Sequence, residues 1–186
     1  MFYLQKMVIN QIKKGEKMKL HIGGELPKDG WKIYNAQPKE HVDYIGDISN
    51  LSQFNEETFS EVYASHVFEH VKQSTIIQTL HGINRILKKG GRFYISVPDM
   101  DELCQLYLNK SLSFDQRWHV MRMMFGGQVD QFDFHYVGWN EDFLTAFLTN
   151  CGFRDIQKVD SFGIFEDTSN FTPYGKLISL NLIAIK

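Results

Sequence analysis

SEVYASHVFEHV (residues 60–71) and KKGGRFYISVPD (residues 88–99), joined by residues 72–87, decide the fold. Val62 to Ala64 is a short apolar run that stops at the polar cluster Ser65, His66, Glu69 and His70. Beyond it Ile76, Leu80, Ile83 and Leu87 recur at i, i+4, i+7 and i+11, the stripe of a helix packed on a sheet. Lys88 and Lys89 suit the negative end of that helix, and Gly90 is the residue expected to end it in a left-handed conformation. Phe93, Ile95 and Val97 then alternate as a strand that Pro98 closes. Strand, crossover helix, strand implies parallel pairing, and parallel sheets take their ligands at the carboxyl ends of the strands. The residues just past those ends are Ser65 to His70 and Asp99 to Asp101.

Upstream, Lys19 to Ile22 reads as a first strand ending at Gly23, Gly24 and Glu25, and Trp31 to Tyr34 as a second. The link between them is shorter than the dozen or so residues a helical crossover needs, so either the first crossover is a loop or the two strands are not parallel neighbours. A third short strand fits His41 to Ile45, stopped by Gly46 and Asp47. Residues 1–17 suit a short amphipathic helix or an extension, and Met18 could itself be a start.

Downstream, Asp99 with Glu102, Ser113 with Gln116, and Asn140 with Glu141 and Asp142 each mark a helix start. Phe153 to Val159 and Leu177 to Ile185 read as further strands, the second carrying the C-terminus into the sheet.

A chain of 186 residues fits one domain, here residues 18–186. Its net charge of -2 leaves no basic footprint, so no nucleic-acid partner is expected. Cys104 and Cys151 are too few and too far apart for a disulfide framework, which suits a reducing compartment. No apolar run approaches the roughly eighteen residues of a membrane span, and the N-terminus lacks a signal peptide's apolar core. A cytoplasmic location is the expectation.

With these elements in place the chain resembles a class I S-adenosylmethionine-dependent methyltransferase. KLHIGGE (19–25), GDISNL (46–51), YASHVFEHV (63–71), INRILKKGGRFYISVPD (83–99) and the helix, Cys-Gly-Phe, strand ending at 151–159 carry the resemblance, and YASHVFEHV followed by ILKKGG is its specific part. It implies a three-layer, Rossmann-like α/β fold. The sheet would be twisted and mostly parallel, with an antiparallel last strand and a truncated first crossover. It also implies S-adenosylmethionine as cofactor. Gly23 and Gly24 match the loop that approaches its methionyl part, two glycines standing where GxGxG is usual. Asn35 matches the acid that usually takes the ribose hydroxyls, with a neutral amide in place of the charge. Asp47 and Ile48 match the adenine contacts, and Ser65 and His66 match the fourth strand's end. The implied activity is methyl transfer to a small-molecule, sugar or lipid-precursor acceptor. His70 and His135 are the candidate bases for an acceptor proton, and residues 100–140 are the expected helical acceptor lid. Met121, Met123 and Met124 within it read as core filler or as an adaptable pocket wall.

Alternatives sit beside these assignments. HVFEH (66–70) also matches H-x-x-E-H, a zinc-protease signature, but an apolar strand runs straight into it instead of a helix, and no metal ligands are assigned. A histidine at a strand end also serves by bonding backbone, and Asp99 and Asp47 serve equally as a helix cap and a turn starter. The short glycine loop and Asn35 suit a second reading, a degenerate methyltransferase fold acting as a binding or assembly module. A nicotinamide enzyme is disfavoured, because no G-x-G-x-x-G opens a helix.

Overall fold

The structure, a computed structural model, describes residues 18–186, so the helix or extension expected over 1–17 lies outside the described residues. β1 (Lys19–Ile22), β2 (Trp31–Asn35), β3 (Tyr44–Ile45), β4 (Phe59–Ser65), β5 (Leu87–Pro98), β6 (Arg154–Lys158) and β7 (Ser179–Ile185) form one seven-stranded sheet in the order β3-β2-β1-β4-β5-β7-β6. Neighbours from β3 through β5 pair in parallel, and β7 runs antiparallel between β5 and β6. Four α-helices accompany it among the described residues: α1 (Ile76–Ile86), α2 (Met100–Leu108), α3 (Phe114–Phe125) and α4 (Glu141–Asn150). None is long and apolar enough to cross a membrane.

Alternation sorts the strand residues between two faces. Leu20, Ile22, Val62, Ala64, Phe93, Ile95, Leu180 and Leu182 meet Leu80 and Ile83 of α1 and Leu144 and Leu148 of α4 in the main core. On the opposite face Trp31, Tyr63 and Tyr94 pack against Phe162, Ile164 and Phe165. That packing explains the truncated crossover. β1 and β2 are parallel although only residues 23–30 join them, and the face a crossover helix would cover is walled by the β6–β7 connection. The 36–43 link is also non-helical, and the strand expected from His41 shrinks to Tyr44–Ile45.

The caps stand as expected. Asp99 Oδ1 accepts from Asp101 N at 3.1 Å. Ser113 and Gln116 close a reciprocal capping box on α3, and Asn140 Oδ1 accepts from Phe143 N on α4. One helix end differs from the expectation. α1 stops at Ile86, and Leu87 begins β5 opposite Phe59. Gly90, at φ 72°, serves a bulge inside that strand instead of ending the helix. Lys186 replaces Lys88 and Lys89 at the helix terminus: its Nζ donates to Arg85 O at 3.4 Å and Leu87 O at 2.7 Å. The C-terminal strand supplies both that cation and the partners for residues 90–91, through Gly90 N to Lys186 O and Lys186 N to Gly91 O.

Candidate active site

The strand order sets the carboxyl ends of β3, β2, β1 and β4 side by side, which brings Asp47 and Ile48, Asn35, Gly23 and Gly24, and Ser65 and His66 to one edge of the sheet. Gly23, at φ 78°, lies where a Cβ would run into Val67 Cγ2, so the glycine lets the loop close on the segment after β4. A Cβ on Gly24 would fall 2.5 Å from His21 Nδ1. Asn35 is engaged on both sides: Nδ2 donates to Gly24 O at 3.1 Å and Oδ1 accepts from Gln37 N at 3.0 Å. Asp47 Oδ1 accepts from Ser49 N and Oγ at 2.8 and 2.7 Å. Ser65 Oγ is buried without a hydrogen-bond partner among the described residues. The edge therefore fits a nucleoside ligand: an orphaned hydroxyl at β4, an exposed acid at Asp47 and a half-buried apolar side chain at Ile48. Asn35 would reach a ribose only by exchanging bonds it already makes.

A second cluster lies just past β4, where the 3-10 turn Phe68–His70 follows the strand. His66 takes the left-handed region at φ 52°, a costly conformation of the kind that gathers at functional sites. Glu69 is 1% exposed. Its Oε1 lies 3.4 Å from His66 Nδ1, 3.9 Å from His70 Nε2 and 4.0 Å from His135 Nε2, and neither carboxylate oxygen closes a hydrogen bond. Burial alone would push the Glu69 carboxyl up; contact with His66 and the charges of the three histidines outweigh it and hold the carboxyl below its usual range. Burial lowers His135, against the pull of Glu69.

The remaining nitrogens of two of these rings are fixed from outside. Ser179 Oγ donates its one proton to Thr168 O at 2.9 Å, so at 2.8 Å it must accept from His66 Nε2–H. His70 Nδ1 faces Phe134 O at 3.1 Å, and a carbonyl only accepts. In their neutral forms both rings thus turn a bare nitrogen toward Glu69. The loop carrying His135 is stapled to the turn by Tyr136 N to Glu69 O at 2.8 Å and Gln73 Nε2 to Tyr136 O at 3.2 Å. Sequence reading singled out the three histidines and named Glu69 in the polar cluster without giving it a role. The signal was its place between His66 and His70 in HVFEH, whose pattern stands here on a 3-10 turn and not on a helix.

The 100–140 segment is helical over α2 and α3 and irregular from Gly126 onward. Within it a cavity of about 320 Å³ is lined by His119, Arg122, Met123, Gly126, Asp133 and His135. Met123 and Met124 also pack against Leu103, Leu106, Val120 and Ile178, so they fill a satellite core while Met123 faces the cavity. Phe125, Phe132, Phe134 and Tyr136 are exposed around it. Asp99 belongs to the helix cap described above; burial pushes its carboxyl up, and Lys158 Nζ stands 3.8 Å from it.

The family model described as a methyltransferase domain matches residues 28–95. No curated protein matches the chain significantly. Among solved structures, a SAM-dependent methyltransferase from Archaeoglobus fulgidus superposes with a TM-score of 0.58 at 17% identity, over 100% of this chain and 92% of that one. One from Thermotoga maritima gives 0.54 at 18% identity, over 98% and 87%. Phosphoethanolamine N-methyltransferase 2 of Haemonchus contortus, in complex with S-adenosyl-L-methionine, gives 0.54 at 13% identity, over 100% of this chain and 52% of that one. The fold, a mostly parallel sheet with an antiparallel β7, is the one the resemblance implied and is shared with these methyltransferase structures.

Proposed function

We propose that the chain transfers a methyl group to a small-molecule, sugar or lipid-precursor acceptor held between the turn after β4 and the 100–140 segment. The supporting observation is the convergence of His70 and His135 on Glu69 past the end of β4, with His135 also lining the cavity of about 320 Å³. S-Adenosylmethionine supplies a methyl on a positively charged sulfur, which an acceptor lone pair displaces in line. Gly23, Gly24, Asn35, Asp47, Ile48, Ser65 and His66 are the residues proposed to hold it. For such a reaction the protein's main contributions are near-attack positioning and exclusion of water. The α2–α3 segment and its exposed aromatics suit both tasks, as a lid over an acceptor with an apolar portion. His70 and His135 carry the lone pairs that would take a proton from a hydroxyl or amine acceptor.

The test is calorimetric titration of the chelator-treated chain with S-adenosylmethionine and S-adenosylhomocysteine, followed by acceptor screening. Saturable binding is expected, with a melting shift from about 2.7 kcal/mol of stabilisation at a hundredfold excess over Kd. No binding of either ligand at millimolar concentration would refute the reading.

A further inference from the structure

The geometry points to a divalent transition-metal site formed by Glu69, His70 and His135. One ligand atom from each of the three lies within 4.8 Å of the others. The stronger argument is electronic. Glu69 is buried at 1% exposure, both its oxygens are unpartnered, and it faces ring nitrogens whose opposite N–H groups are committed elsewhere. His70 gives its Nδ1 proton to Phe134 O, and His66 gives its Nε2 proton to Ser179 Oγ. A buried carboxylate that closes no hydrogen bond among the described residues calls for positive charge beside it, supplied either by a protonated ring or by a bound ion. Imidazoles that ligate metals typically donate their second N–H to a carbonyl or similar acceptor, which fixes the ring, and His70 shows that feature.

Two imidazoles and one carboxylate suit zinc, cobalt, nickel or ferrous iron, and suit magnesium or calcium poorly. A tetrahedral ion about 2.0–2.1 Å from each donor sets the donors about 3.4 Å apart. The 3.9 and 4.0 Å separations from Glu69 Oε1 to His70 and His135 require a closure of about half an ångström, and the widest donor separation, up to 4.8 Å, one of more than an ångström. Three protein ligands leave a position open, and His135 places it beside the cavity that receives the acceptor in the reading above. A bound ion would take up the nitrogens assigned above as acceptor bases and so replace that role, while the test of the site involves no methyl donor.

The full chain, stripped with a chelator and dialysed, is titrated with Co2+ by visible absorption and with Zn2+ by calorimetry. The expected result is one ion per chain, Co2+ displaced by Zn2+, and affinity weakened at least about tenfold in each of Glu69→Gln, His70→Ala and His135→Ala. His119→Ala, elsewhere on the cavity wall, is expected to leave affinity unchanged. Absence of saturable binding of either ion by the unmutated chain overturns the inference. So does binding that survives both His70→Ala and His135→Ala, with folding of each variant confirmed by circular dichroism. Binding of S-adenosylmethionine without binding of either ion refutes the metal site alone and leaves the methyl-transfer reading standing.

Discussion

His21 makes the fold's non-helical face directly measurable. Its ring is 8% exposed, with centroids 4.1 Å from Phe165 and 5.0 Å from Tyr63, and its Nδ1 has no hydrogen-bond partner among the described residues. Burial lowers its pKa from 6.5 to about 4, only partly opposed by Asp167. Because the folded pKa lies below the unfolded one, the unfolded chain takes up the proton first as pH falls. His21 therefore costs no stability above pH 6.5, and it destabilises the fold progressively down to about pH 4. A drop of about 2.5 units, at about 1.4 kcal/mol each, makes the full loss about 3 kcal/mol. His21→Phe keeps an aromatic ring against Phe165 and removes both the titration and the unpaired nitrogen. Urea unfolding of both proteins, followed by tryptophan fluorescence from about pH 7 to about pH 4.5, isolates the effect, since every other group is common to both and cancels in the difference. The variant is expected to gain on the parent steadily below pH 6.5, approaching 3 kcal/mol, in line with the pKa difference. Parallel stability curves would refute the reasoning and show that the wall of Phe162 and Phe165 does not keep water from the sheet.

Gly23→Ala should destabilise the fold by about 1 kcal/mol for its left-handed backbone and by about 1–3 kcal/mol more for the clash with Val67; adding Val67→Ala in urea titrations should return only the second part. Ser113→Ala removes one arm of the α3 capping box and should cost about 1 kcal/mol, read as a lower urea midpoint with unchanged slope. Asp47→Ala should weaken S-adenosylhomocysteine binding about tenfold by calorimetry, the loss of one charge-assisted contact, and unchanged affinity would remove Asp47 from the site. His135→Ala should leave cofactor binding intact and lower turnover about a hundredfold or more, while normal turnover with the true acceptor would exclude it.

Much of this architecture is legible in local patterns. The apolar run from Val62 to Ala64, the alternation over Phe93 to Val97, the α1 stripe, and the caps at Asp99, Ser113 and Asn140 depend on neighbours a few residues away, and each stands in the structure. The gathering of Gly23, Asn35, Asp47 and Ser65 at one edge was equally legible, because a parallel sheet brings strand ends together wherever the strands are placed. The end of α1 was not. Lys88, Lys89 and Gly90 carry every local sign of a helix terminus, yet Leu87 joins β5, because Phe59 and the C-terminal strand offer backbone partners that no local signal shows.

The same division runs through the site. From its own residues the chain determined that a parallel sheet would end at Ser65 to His70 and that histidines would stand there, since period and punctuation act over a few bonds. Tertiary structure alone decided what those histidines face. It brought the loop of His135 onto the turn through the Tyr136–Glu69 backbone bond, turned His66 and His70 with hydrogen bonds to Ser179 and Phe134, and left Glu69 buried at their centre. Tertiary packing likewise set Phe162 and Phe165 of the β6–β7 connection over the face of His21. The reason is physical: propensity and alternation are local energies, whereas burial, desolvation and the pairing of lone pairs exist only once distant segments share the same volume.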